Sequence, residues 1–171
     1  MRYLITGASG FVGAYLINHL RQEGHGITGI DVNPPSEHFS SFYCGIDFIQ
    51  MSLTEYEPLK SILEKFLPDR IIHLASASSV AISWQAPLDC FMNNTNIFLH
   101  LLEAVRKIKL DCHILSVGSS EEYGPVSVKE MPLKESQGLN PISPYAVARV
   151  AQEHLSHVYS RGYGIDIICT R

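Results

Sequence analysis

Three glycines, Gly7, Gly10 and Gly13, stand in Thr6-Gly7-Ala8-Ser9-Gly10-Phe11-Val12-Gly13, directly behind the apolar run Tyr3-Leu4-Ile5. At a sharp strand-to-helix turn, glycine removes the side chain that would keep a ligand away from the backbone. The amides that open the following helix, at the positive end of its dipole, then suit a pyrophosphate. Asp31 closes the next apolar run, Gly26-Ile27-Thr28-Gly29-Ile30, where a carboxylate takes ribose hydroxyls. Many glycines serve only turns, so the triplet alone says little. Strand, triplet, helix, strand and acid in this order point to a dinucleotide. Asp31, with no arginine in Val32-Asn33-Pro34, favours NAD(H) over NADP(H), because a carboxylate repels a 2′-phosphate.

Three further segments carry candidate chemistry. Ile71-Ile72-His73-Leu74-Ala75-Ser76-Ala77-Ser78-Ser79 ends an apolar strand in small residues, over which a cofactor could lie; His73 reads as a core histidine. Ser116-Val117-Gly118-Ser119-Ser120-Glu121-Glu122-Tyr123-Gly124 clusters hydroxyls and carboxylates. A serine there donates to a substrate oxygen and a glutamate moves a proton or binds hydroxyls; a plain polar turn is the alternative. In Ser143-Pro144-Tyr145-Ala146-Val147-Ala148-Arg149, positions 145 and 149 lie one helical turn apart on one face. A cation so placed favours the ionised phenol, while an exposed aromatic–cation pair is the simpler reading of the two residues alone.

The elements that must position these groups alternate. Strands are predicted at 2–6, 27–31, 46–50, 70–74, 112–117 and 165–170, and helices near 11–23, 55–66, 87–107 and 143–161. This is the pattern of an α/β fold, a Rossmann-type doubly wound parallel sheet. Residues 34–45 and 118–142 read as loops, and long loops at the carboxyl ends of parallel strands hold ligands. The helix from Pro87 carries Phe91, Phe98, Leu99, Leu101, Leu102 and Val105, and that from Ser143 carries Val147, Val150, Ala151, Leu155 and Val158. Two such broad apolar faces suit either a homodimer or a buried helix pair within one subunit. The sixth strand closes at Arg171, which leaves an outer strand uncovered and no second lobe for a substrate.

A length of 171 residues fits one domain with a real core, and a net charge of −4 gives no electrostatic case for nucleic acid or an acidic membrane. Cys44, Cys90, Cys112 and Cys169 form no close pair, and read as small buried apolar side chains in a reducing, cytoplasmic setting. His154 and His157 share a helix face without a third ligand, so no metal site is expected. No signal segment or membrane span is expected.

Taken together, Thr6–Gly13, Asp31, His73-Leu74-Ala75, Asn94, Ser119–Gly124 and Ser143-Pro144-Tyr145 with Arg149 resemble the extended short-chain dehydrogenase/reductase family, which modifies nucleotide-activated sugars. The glycine spacing is this family's. The run Gly118-Ser119-Ser120-Glu121-Glu122-Tyr123-Gly124 most resembles the GDP-4-keto-6-deoxy-mannose reductases, with the GDP-mannose 4,6-dehydratases next. The resemblance implies Tyr145 as the catalytic tyrosine, Ser119 as the hydroxyl on the reacting sugar oxygen and Glu121 as the base of the dehydratases. It implies cofactor contacts at Gly7, Gly10, Phe11, Val12, Gly13, Asp31, Leu74, Ala75, Ser76, Tyr145 and Arg149, and a dimer through the helices near 87–107 and 143–161.

This sequence departs from the family in four places. Arg149 replaces the family's lysine, Ser52 its usual aspartate for the adenine amino group and Ile97 a usual glycine; the lobe that grips the nucleotide sugar would lie beyond Arg171. A guanidinium is larger and planar, so reduced turnover with cofactor binding kept is expected. The expected function is NAD(P)-dependent reduction of a GDP-4-keto-6-deoxy-hexose. A GDP-mannose 4,6-dehydratase, a nucleotide-sugar epimerase and a non-catalytic NAD-binding fragment are the alternatives.

Overall fold

Apolar residues run without alternation through β1 (Arg2–Thr6), and Leu4 and Ile5 are both fully buried. Neighbouring strand residues point to opposite faces, so this strand must be covered on both sides. The computed structural model, which describes all 171 residues, supplies both covers. Six parallel strands lie in the order β3-β2-β1-β4-β5-β6, with β2 at Gly26–Asp31, β3 at Asp47–Gln50, β4 at Arg70–His73, β5 at His113–Ser116 and β6 at Asp166–Cys169. Ile5 packs with Ala8, Ile17, Leu20 and Ile27 under helix α1 (Phe11–Gln22). Leu4 faces the other way, into the larger core with Leu59 and Leu63 of α2 (Tyr56–Phe66) and Phe98, Leu101, Leu102 and Val105 of α5 (Ile97–Ile108). The fold is the expected Rossmann-type sheet.

Four details differ from the sequence reading. The helix expected at 87–107 is three segments: α4 (Pro87–Phe91), a π-helical turn (Met92–Asn96) and α5. Its broad apolar surface is consumed mostly inside the chain, since Phe98, Leu101 and Leu102 are fully buried; what remains outward is Leu88 and Met92. A short helix, α3 (Val80–Gln85), capped by Ser79 accepting from Ile82 N at 3.2 Å, was not anticipated, and a 3-10 helix at Glu37–Tyr43 occupies the expected loop. Cys44 is exposed rather than buried, while Cys90 and Cys112 are in the interior. The last helix, α6 (Pro144–Tyr163), starts where proline fixes the first turn and Ser143 accepts from Ala146 N at 3.1 Å; Gly164 ends it at φ 70°. No helix is long and apolar enough to cross a membrane.

Candidate active site

Between β1 and β4 the strand order reverses, and the loops leaving their carboxyl ends part to form a cleft of about 870 Å³. The three glycines have different tasks there. Gly7 has φ 70°, and a Cβ on it would lie 2.6 Å from Ala75 N and 2.7 Å from the Leu74 carbonyl carbon. A Cβ on Gly13 would lie 2.4 Å from Gly7 O. These two let the β1–α1 turn close onto itself and onto β4. Gly10 has an ordinary backbone (φ −67°) and is exposed, with only Gly7 O, at 3.2 Å, near its missing Cβ. Gly10 keeps the cleft face clear at the start of α1, where no side chain caps the first-turn amides. Phe11 and Val12 flank this opening, both largely exposed.

Asp31, at the end of β2, accepts from Ser9 N at 3.0 Å through Oδ2 and from Asn33 N at 3.1 Å through Oδ1. Two backbone amides thus fix the carboxylate, whose remaining lone pairs face the cleft. The Tyr43 phenol, which donates to Ala8 O at 2.7 Å, titrates above its ordinary range because of burial and then the Asp31 charge. Ser52 also lines the cleft, but its hydroxyl is paired with Thr54 Oγ1 at 2.7 Å and accepts from Thr54 N at 3.2 Å. The opposite wall is Leu74, Ala75 and Ser76, with Leu74 N bonded to Thr6 O at 3.1 Å and Ala75 N to Thr6 Oγ1 at 3.3 Å. His73 is fully buried beneath it, 2.8 Å from Thr6 Oγ1 through Nδ1. Burial, and then the charge of Arg149, push its pKa down to about 3, which fits a neutral core residue.

Arg149 forms the inner end of the cleft. Its Nε donates to the Tyr145 hydroxyl oxygen at 3.1 Å, and its guanidinium carbon lies 5.2 Å from the centre of that ring. One terminal nitrogen donates to Val117 O at 3.2 Å and to Gln152 Oε1 at 2.8 Å. All these partners are neutral, so a buried cation stands against the phenol and the cleft without a counter-ion. Gln152 was not picked out in the sequence, although its place three residues after Arg149 on one helix face is a usable signal. Its amide donates to Ser116 Oγ at 2.8 Å and to Val117 O at 3.2 Å, which fixes Oε1 towards the arginine.

Tyr145 itself is buried and does not border the cleft; it meets it through Arg149. Ser119 and Glu121 also lie outside the cleft wall, on the 3-10 turn Ser120–Tyr123 that follows β5. The Ser119 hydroxyl accepts from Glu121 N at 3.3 Å, leaving its own proton free to donate. Glu121 is exposed and has no side-chain partner. Glu122, passed over in the sequence, is the buried member of the pair; the spacing Ser119-Ser120-Glu121-Glu122 is a capping-box pattern that could have marked it. Asn94, on the π turn, accepts from Ala77 N at 2.8 Å and so ties the long helix to the cleft wall. No three histidine, cysteine or acidic side chains come together as a metal site.

Comparison with known proteins bears on this geometry. A family model described as GDP-mannose 4,6 dehydratase matches residues 4–171. A UDP-glucose 4-epimerase of Mycolicibacterium smegmatis is 32% identical over 97% of this chain and 53% of its own length. A dTDP-glucose 4,6-dehydratase of Haemophilus influenzae is 26% identical over 99% of this chain and 54% of its own. Among solved structures, the Thermus thermophilus UDP-glucose 4-epimerase complex with NAD has a TM-score of 0.91 at 28% identity, covering 100% of this chain and 54% of that one. The chain thus spans about half the length of the curated relatives it matches. A match from residue 4 to residue 171, over a cleft built in this way, places the chain in the GDP-mannose 4,6-dehydratase family of extended short-chain dehydrogenases/reductases, the nucleotide-sugar epimerases and dehydratases.

Proposed function

We propose that the chain binds NAD(H) in the glycine-lined cleft and supplies the proton-moving residues of a nucleotide-sugar oxidoreductase, with reduction of a GDP-linked 4-keto-6-deoxy-hexose as the reaction. The observation that carries this reading is the 3.1 Å bond from Arg149 Nε to the Tyr145 oxygen at the inner end of the cleft. The residues present suit the cofactor: Gly10 leaves the α1 amides open to a diphosphate, and Asp31 holds an acceptor pair for ribose hydroxyls. When bound, a nicotinamide would supply the hydride.

Because the Tyr145 oxygen accepts from Arg149, its own O–H is free to give a proton to an alkoxide forming on the sugar. Ser119 donates to the same oxygen, and Arg149 offsets the phenolate left behind. Reduction begins from a protonated phenol; the bond from Arg149 leaves that proton available and then stabilises the phenolate that forms. The run Gly118–Gly124 supports GDP as the nucleotide; the relatives named for UDP- and dTDP-sugars support the broader class of nucleotide sugars. A second reading, dehydration or epimerisation, is favoured by Glu121, an exposed and unpartnered carboxylate on the Ser119 turn suited to act as a base. In either case the complete protein would act as a homodimer, through the apolar side chains that α3, α4 and α6 leave outward: Ile82, Trp84, Leu88, Val147 and Val158.

Isothermal calorimetry of the folded chain with NAD+, NADH and NADPH tests the cofactor assignment. Binding of NAD+ and NADH is expected, with NADPH weaker. Absence of heat with all three ends the proposal, and tighter binding of NADPH overturns the role given to Asp31.

A further inference from the structure

Two charged side chains line the cleft, one at each end: Asp31 closes β2, and Arg149 meets the cleft where β5 has ended, at Val117. In the order β2-β1-β4-β5 these ends are three strand spacings apart, about 14 Å, too far for an ion pair. No other acid balances the guanidinium. No carboxylate oxygen lies within 4.0 Å of it, and Glu153, the next acid along α6, has both oxygens taken by Arg171 at 2.7 Å each.

Gln152 occupies the place of a counter-ion without being one. Its Oε1 accepts from Arg149 at 2.8 Å, while its amide nitrogen is anchored by donating to Ser116 Oγ and Val117 O. Arg149 is only 6% exposed, so water screens its charge little. Its second terminal nitrogen makes no hydrogen bond within the chain. The charge is felt nearby: burial, and then Arg149, hold His73 neutral well below its ordinary range.

Hydride and proton must reach the carbon and the oxygen of one carbonyl group. The proton comes from Tyr145, whose oxygen lies 3.1 Å from Arg149 Nε. Reacting atoms about 3–3.5 Å apart and a hydrogen bond of about 3 Å then put the nicotinamide ring within about 8 Å of that oxygen. The ring is a cation in NAD+ and neutral in NADH, and the rest of the molecule carries the same charge in both. We infer that Arg149, left uncompensated by Gln152, makes the cleft selective for the redox state of its dinucleotide, with NADH held at least tenfold more tightly than NAD+. A tenfold ratio, about 1.4 kcal/mol, is less than the repulsion of two unit charges about 8 Å apart at an effective dielectric of about 20. The inference deepens the proposed function and rests on the cofactor assignment made there. Dehydration and epimerisation begin by taking a hydride and need NAD+ bound; reduction starts from the form this cleft holds more tightly.

Calorimetric titration of the folded chain with NADH and with NAD+ tests the inference. NADH is expected to bind at least tenfold more tightly, and a smaller ratio overturns it. Gln152→Glu sets a carboxylate where Oε1 now lies, 2.8 Å from the guanidinium, and leaves the cleft lining unchanged because Gln152 is not part of it. In this variant NAD+ should bind more tightly than to the wild type, and the ratio should fall below threefold. A ratio unchanged from the wild type overturns the inference, because the charge of Arg149 is then not its source. Should Gln152→Glu not fold, Arg149→Met gives the same readout: a ratio below threefold supports the inference, and the wild-type ratio overturns it. Absence of heat with both dinucleotides refutes the proposed cofactor site itself, whereas binding of both without a preference for NADH overturns this inference alone.

Discussion

Alanine placed at Gly10 and at Gly7 should separate ligand binding from folding. Gly10 has φ −67°, and a methyl group there meets only Gly7 O, at 3.2 Å. Alanine is a poorer helix N-cap than glycine by up to about 1 kcal/mol, and its smaller unfolded-state entropy returns about 0.4–1 kcal/mol. Gly10→Ala is therefore expected to change stability by no more than about 1 kcal/mol, which in a domain of this size moves Tm by roughly 2–4 °C. The same methyl group stands where a diphosphate must approach the α1 amides, so NAD+ affinity should fall at least tenfold, about 1.4 kcal/mol. Gly7→Ala is the opposite case. A left-handed backbone at φ 70° costs a non-glycine residue about 1–2 kcal/mol, and a Cβ within 2.6–2.9 Å of three β4-loop backbone atoms adds about 1–3 kcal/mol. A middle value of about 3 kcal/mol lowers Tm by roughly 6–12 °C. Calorimetric scanning gives the Tm, and titration with NAD+ gives the affinity. If Gly10→Ala binds NAD+ as the wild type does, Gly10 is only a turn residue and the cleft assignment at α1 fails.

Other expectations follow from the same structure. His73 keeps its proton off down to about pH 3 when folded but takes one near 6.5 when unfolded, so stability should decline as pH falls from 6.5 towards 3, by up to about 1.4 kcal/mol per pH unit. Urea denaturation at pH 7 and 5 should show this decline to be smaller in His73→Asn; equal declines would refute the assignment. Arg149→Met removes the cation from Tyr145 and leaves Gln152 Oε1 without its donor, so turnover of the complete protein should drop at least a hundredfold while NAD+ binding weakens less. Steady-state kinetics beside NAD+ titration checks this; unchanged kcat would refute it. Leu88→Glu, at a side chain 75% exposed, should convert dimer to monomer in sedimentation equilibrium without lowering Tm, and a wild type already monomeric would refute the dimer surface.

The order of the sheet was legible because short apolar runs alternate with helical patterns, and the first and last helices open on clear punctuation, at Gly7–Gly13 and Ser143-Pro144. The cleft wall was equally legible, since Asp31, Leu74, Ala75 and Ser76 sit at strand ends, where topology alone fixes their direction. What escaped depends on burial and partner choice, which spacing does not encode. Glu121 and Glu122 are identical in type and adjacent, yet one is exposed and the other enclosed against Glu153. The three glycines looked alike as cofactor contacts, but Gly7 and Gly13 relieve contacts within the backbone itself. The length of apolar pattern from Pro87 hid a change of pitch, because a π turn leaves every residue type unchanged.

That change of pitch has a mechanical meaning. One extra residue in a helical turn advances the phase by about 100°, so the rod from Pro87 to Ile108 is two rods with different fronts. Leu88 looks outward from the first and Phe98 inward from the second, and Asn94 at the joint grips Ala77 through both its amide atoms. A push on the outer front therefore reaches a joint bolted to the cleft wall. The cleft wall and the outward apolar face share one hinge point, and straightening it by deleting a single residue would disturb both together.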